Sequence, residues 1–129
     1  MKLNPDCIRD ILITIESMDY NSTLSLSKLS TDLPQYRPEE LNYHCIHLLD
    51  AGLINADSVC VPKSVFPQVG RIYDLTFSGH QFLANIRSDN VWNGVKAVVS
   101  KIGACSLEAF TQIASNVISE LIKSHYGLR

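Results

Sequence analysis

Apolar residues recur at helical spacing in six stretches of this chain, and as short strand-like runs in only two. Ile8, Ile11, Leu12 and Ile15 fall on one face, extended by Met18. Asn4-Pro5-Asp6 stands in front, giving a capping side chain, proline at the first helical position and an acid facing the positive helix end. This predicts helix 1, ending near Asp19. Ser25 caps a short helix 2 that turns Leu26, Leu29 and Leu33 inward and stops at Pro34. Pro38 opens helix 3, with Glu39 and Glu40 in its first turn and Leu41, Cys45, Leu48 and Leu49 on its inner face. Its outer face carries Glu39, Tyr43, His47 and Asp50, with Glu40 and His44 on one flank and Ile46 on the other.

Gly52 supplies the left-handed residue after helix 3, letting Leu53 fold back on Leu48. Leu53–Ala56 and Arg71–Leu75 read as two short strands. The segment between them, Asp57–Val69, holds Pro62 and Pro67, which suits a loop or edge rather than a central strand. Thr76 then caps helix 4, whose Phe77, Phe82, Leu83 and Ile86 are apolar, and Gly79 permits close packing on the sheet. Asp89 caps helix 5, with Val91, Val95, Val98, Val99 and Ile102 on one face and Trp92 beside it as a core anchor. Gly103 ends that helix, and Ser106 with Glu108 starts helix 6.

Helix, twisted hairpin, helix is the order in which a winged-helix domain closes. The expected fold is therefore mainly α with a small β-hairpin (α+β). It is a winged helix-turn-helix over residues 1–87 with two additional C-terminal helices, 88–129, packed on it as one structural domain. With 129 residues, 46% hydrophobic and 19% charged, the chain has the composition of one globular domain with a proper core. No apolar run reaches the roughly 18 residues of a membrane span, and residues 1–19 do not read as a signal peptide. The expected location is cytoplasmic. Four cysteines (Cys7, Cys45, Cys60 and Cys105) lie far apart without a CxxC pair, so neither a disulfide framework nor a zinc ribbon is expected. Cys7, Cys45 and Cys105 read as small buried hydrophobes.

The sequence Leu48-x3-Gly52-Leu53-Ile54, followed by Tyr73-x-Leu75-Thr76-x2-Gly79-x3-Leu83, resembles the strand-to-helix join of MarR- and PadR-type winged-helix regulators. A second likeness spans nearly the whole chain. The opening Met1-Lys2-Leu3-Asn4-Pro5-Asp6-Cys7-Ile8-Arg9-Asp10-Ile11-Leu12, the later Leu75-Thr76-x2-Gly79-His80-x-Phe82-Leu83-x-Asn85-Ile86-Arg87, Val91-Trp92 and Ser106-Leu107 look like a family of uncharacterised small bacterial and prophage proteins. That family carries a domain of unknown function, so the resemblance implies an origin and a fold and no activity.

Net charge is −2, unevenly placed: residues 1–63 hold five Lys/Arg against nine Asp/Glu, and residues 64–129 six against four. In winged-helix DNA readers the third helix enters the major groove while the wing touches backbone or minor groove. Arg37, Tyr43, His44 and His47 are the candidate contacts on and before helix 3; Lys63 and Arg71 on the wing and Lys28 on helix 2 are the phosphate candidates. Glu39, Glu40 and Asp50 on the same helix repel phosphate.

No nucleophile elbow, phosphate-cradling glycine loop or catalytic constellation occurs, so no catalytic residues and no cofactor are expected. His44 and His47 stand three apart without a third ligand, which makes them surface histidines rather than a metal site. Helix 6 carries an apolar arc wide enough to pair two chains, with Phe110, Ile113, Val117 and Leu121 as the candidate self-association residues. The leading expectation is a non-enzymatic DNA-binding regulator, prophage-related, acting as a homodimer on double-stranded DNA. The alternative is a protein-interaction module on the same scaffold, with no nucleic acid and no membrane as partner.

Overall fold

The computed structural model describes residues 1–103 and 106–126; Cys105 lies outside the described residues. Six helices and one antiparallel hairpin follow in the order α1 (Pro5–Glu16), α2 (Leu26–Asp32), α3 (Pro38–Asp50), β1 (Ile54–Val59), β2 (Gln68–Leu75), α4 (Phe77–Ile86), α5 (Asp89–Ile102) and α6 (Leu107–Tyr126). The molecule is mainly helical, with one small two-stranded sheet.

Local chemistry sets most of these boundaries. Asn4 Oδ1 accepts from the Asp6 amide at 3.0 Å, Ser25 Oγ from Lys28 at 3.1 Å, Thr76 Oγ1 from Gly79 at 3.0 Å and Ser106 Oγ from Ala109 at 3.1 Å. Each satisfies an amide that the first helical turn leaves without a partner. Helix α5 begins one residue earlier than expected, with Ser88 at its cap position and Asp89 inside the first turn. Helix α1 stops at Glu16, short of Asp19.

The hairpin is longer than the two runs predict, because β1 continues through Asp57, Ser58 and Val59, all exposed and without an apolar–polar alternation. Its register runs from Ile54 opposite Leu75 to Val59 opposite Gln68, with two irregularities around Ala56. Leu24, between α1 and α2, exchanges two backbone hydrogen bonds with Ile72, at 2.9 and 2.8 Å. Strand β2 therefore lies between Leu24 and β1.

Gly52 takes φ +75° after α3, and the Leu53 amide returns to the Leu48 carbonyl at 3.0 Å. Thr76 then bonds Leu53 and Gly52 carbonyls with its amide and hydroxyl, at 3.0 and 2.6 Å, joining the end of β2 to the start of β1. A Cβ at Gly79 would lie 2.0 Å from the Leu53 carbonyl oxygen, so only glycine lets α4 sit this close to the sheet.

One contiguous core gathers Ile8, Ile11, Leu12 and Ile15 of α1, Leu41, Cys45 and Leu48 of α3, Ile54 and Ile72 of the hairpin, and Leu83 and Ile86 of α4. It continues into α5 and α6 through Trp92, Val95, Phe110 and Ala114. The Phe110 ring meets Phe82 edge-on at 5.5 Å and Trp92 at 5.7 Å. Trp92 Nε1–H donates to Asp6 at 3.1 Å, and the Arg9 guanidinium stands 5.4 Å from its ring. Arg9 also donates to the Ile86 and Arg87 carbonyls, and Arg87 pairs with Glu16. These contacts hold α1 against the α4–α5 junction.

Candidate functional site

Helix α3 is the element on which the expected contacts converge, and the structure covers most of it. His44, expected on an outward flank, is fully buried, and Ile46 is 3% exposed. Nδ1 of His44 lies 2.7 Å from the Glu40 carbonyl, while Nε2 accepts the Asn4 amide at 2.8 Å. Both contacts are satisfied by one tautomer, the neutral ring with its proton on Nδ1. Burial holds the ring's pKa below its ordinary 6.5, against the opposing pull of Glu40. His44 is therefore an internal clasp between α3 and the start of α1, and not a base contact. It is also lost as a metal partner for His47, and among the described residues no group of three or more metal-ligating side chains comes together.

Tyr43 and His47 remain half-buried. The Tyr43 hydroxyl donates to the Met1 carbonyl at 2.7 Å, and its ring stacks on Phe66 at 5.4 Å, with His47 packed 4.5 Å away. Phe66 comes from the loop between β1 and β2, which folds back over α3. Asn42 fastens that loop: its Nδ2 donates to Pro67 at 3.0 Å and its Oδ1 accepts from Val69 at 2.7 Å. Neither Asn42 nor Phe66 is singled out by the sequence. The one available signal was Phe66-Pro67, a large apolar residue in an otherwise loop-like segment.

The cations fall on four separate segments. Lys28 of α2 is engaged by Asp32 at 2.8 Å. Arg37 precedes α3, Lys63 occupies the hairpin loop at φ +65°, and Arg71 lies on β2; all three are exposed and make no ion pair among the described residues. A shallow cleft of about 310 Å³ between α2, α3 and the start of β2 is lined by Leu26, Pro38, Glu39, Asn42 and Gln68. Its one ionisable group is an acid. The hairpin tip is mostly apolar: Val59, Val61 and Val65 are exposed, with Cys60 among them.

On α6 the expected self-association residues divide. Phe110 is 2% exposed and fills the core between Trp92 and Phe82, so it is withdrawn from any contact between chains. Ile113 and Val117 are partly buried against the same core, and Leu121 alone of the four reaches solvent, at 42%. Helix α6 also faces α4 across two adjoining hollows that share Asn85, and Leu121 lines the second of them. One, of about 480 Å³, is lined by Leu53, Gln81, Phe82, Glu108, Thr111 and Ser115 among others. The second, of about 410 Å³, is lined by Ala84, Ser88, Val91, Ile118, Ile122 and His125 among others.

The profile of a family described as "Hypothetical protein (DUF2513)" matches residues 2–106, from α1 through α5. The chain belongs to the DUF2513 family. It is similar to an uncharacterised protein of Haemophilus influenzae strain Rd, 36% identical over 124 residues, which are 95% of this chain and 99% of that one. No solved structure matches. Among the described residues, no helix of this DUF2513 protein is long and apolar enough to cross a membrane.

Proposed function

We propose that this DUF2513 protein is a non-enzymatic winged-helix protein that serves in the cytoplasm as a protein-interaction module, with its third helix closed to a DNA groove. The order α1, Leu24 bridge, α2, α3, β1, β2 supports the winged-helix part of this reading. The resemblance of the opening segment supports a bacterial, prophage-derived origin.

One observation carries the functional part: the α3 side chains that would read bases are engaged by the chain itself. Asn42 is bonded to the hairpin through both ends of its amide, Tyr43 is bonded and stacked, and His44 is buried. What α3 leaves exposed is Glu39 and Asp50, which a polyanion repels. A second reading, contact with double-stranded DNA through the wing, is favoured by the unpaired Arg37, Lys63 and Arg71.

A salt titration of fluorescent-duplex anisotropy separates the two. The interaction-module reading expects no binding even at low salt, for wild type and for Glu39→Gln with Glu40→Gln alike. Binding with a log–log salt slope of about two to four would overturn it. The slope should then flatten by about two in Lys63→Ala with Arg71→Ala.

A further inference from the structure

Residues 1–4, ahead of α1, are held at three points. The Met1 carbonyl accepts from the Tyr43 hydroxyl at 2.7 Å, and the Asn4 amide donates to Nε2 of His44 at 2.8 Å. Between them Leu3 is half-buried against the core, beside a gap of about 30 Å³ that it lines with Val99, Leu107 and Phe110. The segment thus spans from α3 to the junction of α5 and α6. Two of its attachments fall on consecutive residues of α3, Tyr43 and His44, and the second of these is fully buried.

The bond between Asn4 and His44 exists in one protonation state only. Nδ1 keeps its proton on the Glu40 carbonyl, so Nε2 accepts with its lone pair. A second proton goes to Nε2, and the Asn4 N–H then points at another N–H in a buried site where neither has an acceptor. The titratable groups around the ring do not cancel this. Glu40 and His47 of α3 act on it in opposite directions, and Tyr43 meets it edge-on at 5.6 Å. From α1 comes the neutral Cys7 thiol, within reach of the same Glu40. The segment itself carries Lys2 and the amino group of Met1, which a charged imidazole repels. Relief needs little movement. Rotation about the Asn4 N–Cα bond turns the amide from the ring and swings residues 1–3 away. The Asn4 side chain and carbonyl keep their bonds to the Asp6 and Ile8 amides, and Pro5 has no amide proton to lose.

We infer that residues 1–3 are a strap closed by neutral His44 and released by its protonation, which uncovers Tyr43 of α3 and the apolar gap beside Leu3. In the released form the ring returns toward its ordinary pKa of 6.5. Below that value each pH unit therefore favours release by up to about tenfold. The strap rests on the reading of α3 as closed at neutral pH, and adds what opens it. Its test reads the strap itself, so a failure there leaves the interaction-module reading standing.

Backbone nitrogen relaxation by NMR, between about pH 7.5 and about pH 4.5, tests it. Residues 2–4 should be as ordered as α1 at neutral pH. They should lose that order with a midpoint below 6.5, while α1 and α3 stay ordered and the His44 ring shifts titrate in step. His47→Gln should keep the transition. His44→Gln, whose amide oxygen still accepts from Asn4 and does not titrate, should keep the strap ordered throughout. Tyr43→Phe removes the Met1 bond with the ring in place, and should raise the midpoint by about half to one pH unit. A wild-type strap ordered down to about pH 4.5 overturns the inference. So does a loss of order that persists in His44→Gln, or one that comes only together with the far-UV helical signal. Should His44→Gln fail to fold, an unmoved midpoint in Tyr43→Phe overturns it as well.

Discussion

His44 is the residue at which the structure departs furthest from the sequence, and its burial has a measurable cost. The ring is held neutral between a backbone donor, Asn4, and a backbone acceptor, Glu40, with His47 and Tyr43 nearby on the same helix. Its folded pKa lies below the unfolded value of 6.5. The unfolded chain therefore binds a proton that the folded chain refuses, and stability falls as pH drops from 6.5 toward the folded value. The slope should approach ~1.4 kcal/mol per pH unit at most. Denaturant titrations at pH values spanning that window should show the loss, and His44→Gln should remove the pH dependence. Glu16, whose pKa is lowered by its hydrogen bond to Arg87, contributes in a separate window below 4.5. Leu48, fully buried beneath α3, should cost ~2–5 kcal/mol as Leu48→Ala, read from the same titrations.

At the scale of elements, the caps were legible because they are local chemistry. Asn4, Ser25, Thr76 and Ser106 each act within three residues of themselves, so four helix starts could be read from the chain alone. What could not be read was which face of α3 another segment would cover. The residues that cover it, Asn4 and Phe66, lie about forty and twenty positions away from the side chains they meet. Two hints were present: Ile46 lies on a flank outside the apolar stripe, and α3 contains no lysine or arginine. On α6 the stripe of Leu107, Phe110, Ala114 and Val117 does turn to the core; what its wide arc left open is that Trp92 and Phe82 take up Phe110 within the domain. Gly79, by contrast, was readable as a packing glycine. Gly79→Ala drives a methyl group into the Leu53 carbonyl, and should cost ~1–3 kcal/mol by prising α4 from the hairpin. A loss no larger than alanine's usual gain in helix propensity would show that α4 slides freely on the sheet.

Across the whole molecule, the extra helices are not an appendage. Trp92 lies between Asp6 and Arg9 of α1 and Phe110 of α6, so the first helix and the last share one contact. Unfolding of residues 1–87 and of α5–α6 should therefore be a single event. Fluorescence of Trp92, the only tryptophan, and far-UV dichroism should give coincident transitions. Trp92→Ala should lower the common midpoint, at a cost of ~3–5 kcal/mol, rather than split the transition in two. An early fluorescence change ahead of the dichroism would mean that α5 and α6 detach first.

The exposed Cys60 in the hairpin loop also makes the protein easy to instrument. Cys7 and Cys45 are buried, and desolvation pushes the Cys45 thiol up to about 12 and the Cys7 thiol higher still, so neither forms a thiolate at neutral pH. Cys60 stands in water, flanked by Val59 and Val61. With Cys105 replaced by serine, a maleimide fluorophore should attach at this one thiol. The labelled sample could then report hairpin contact with a partner.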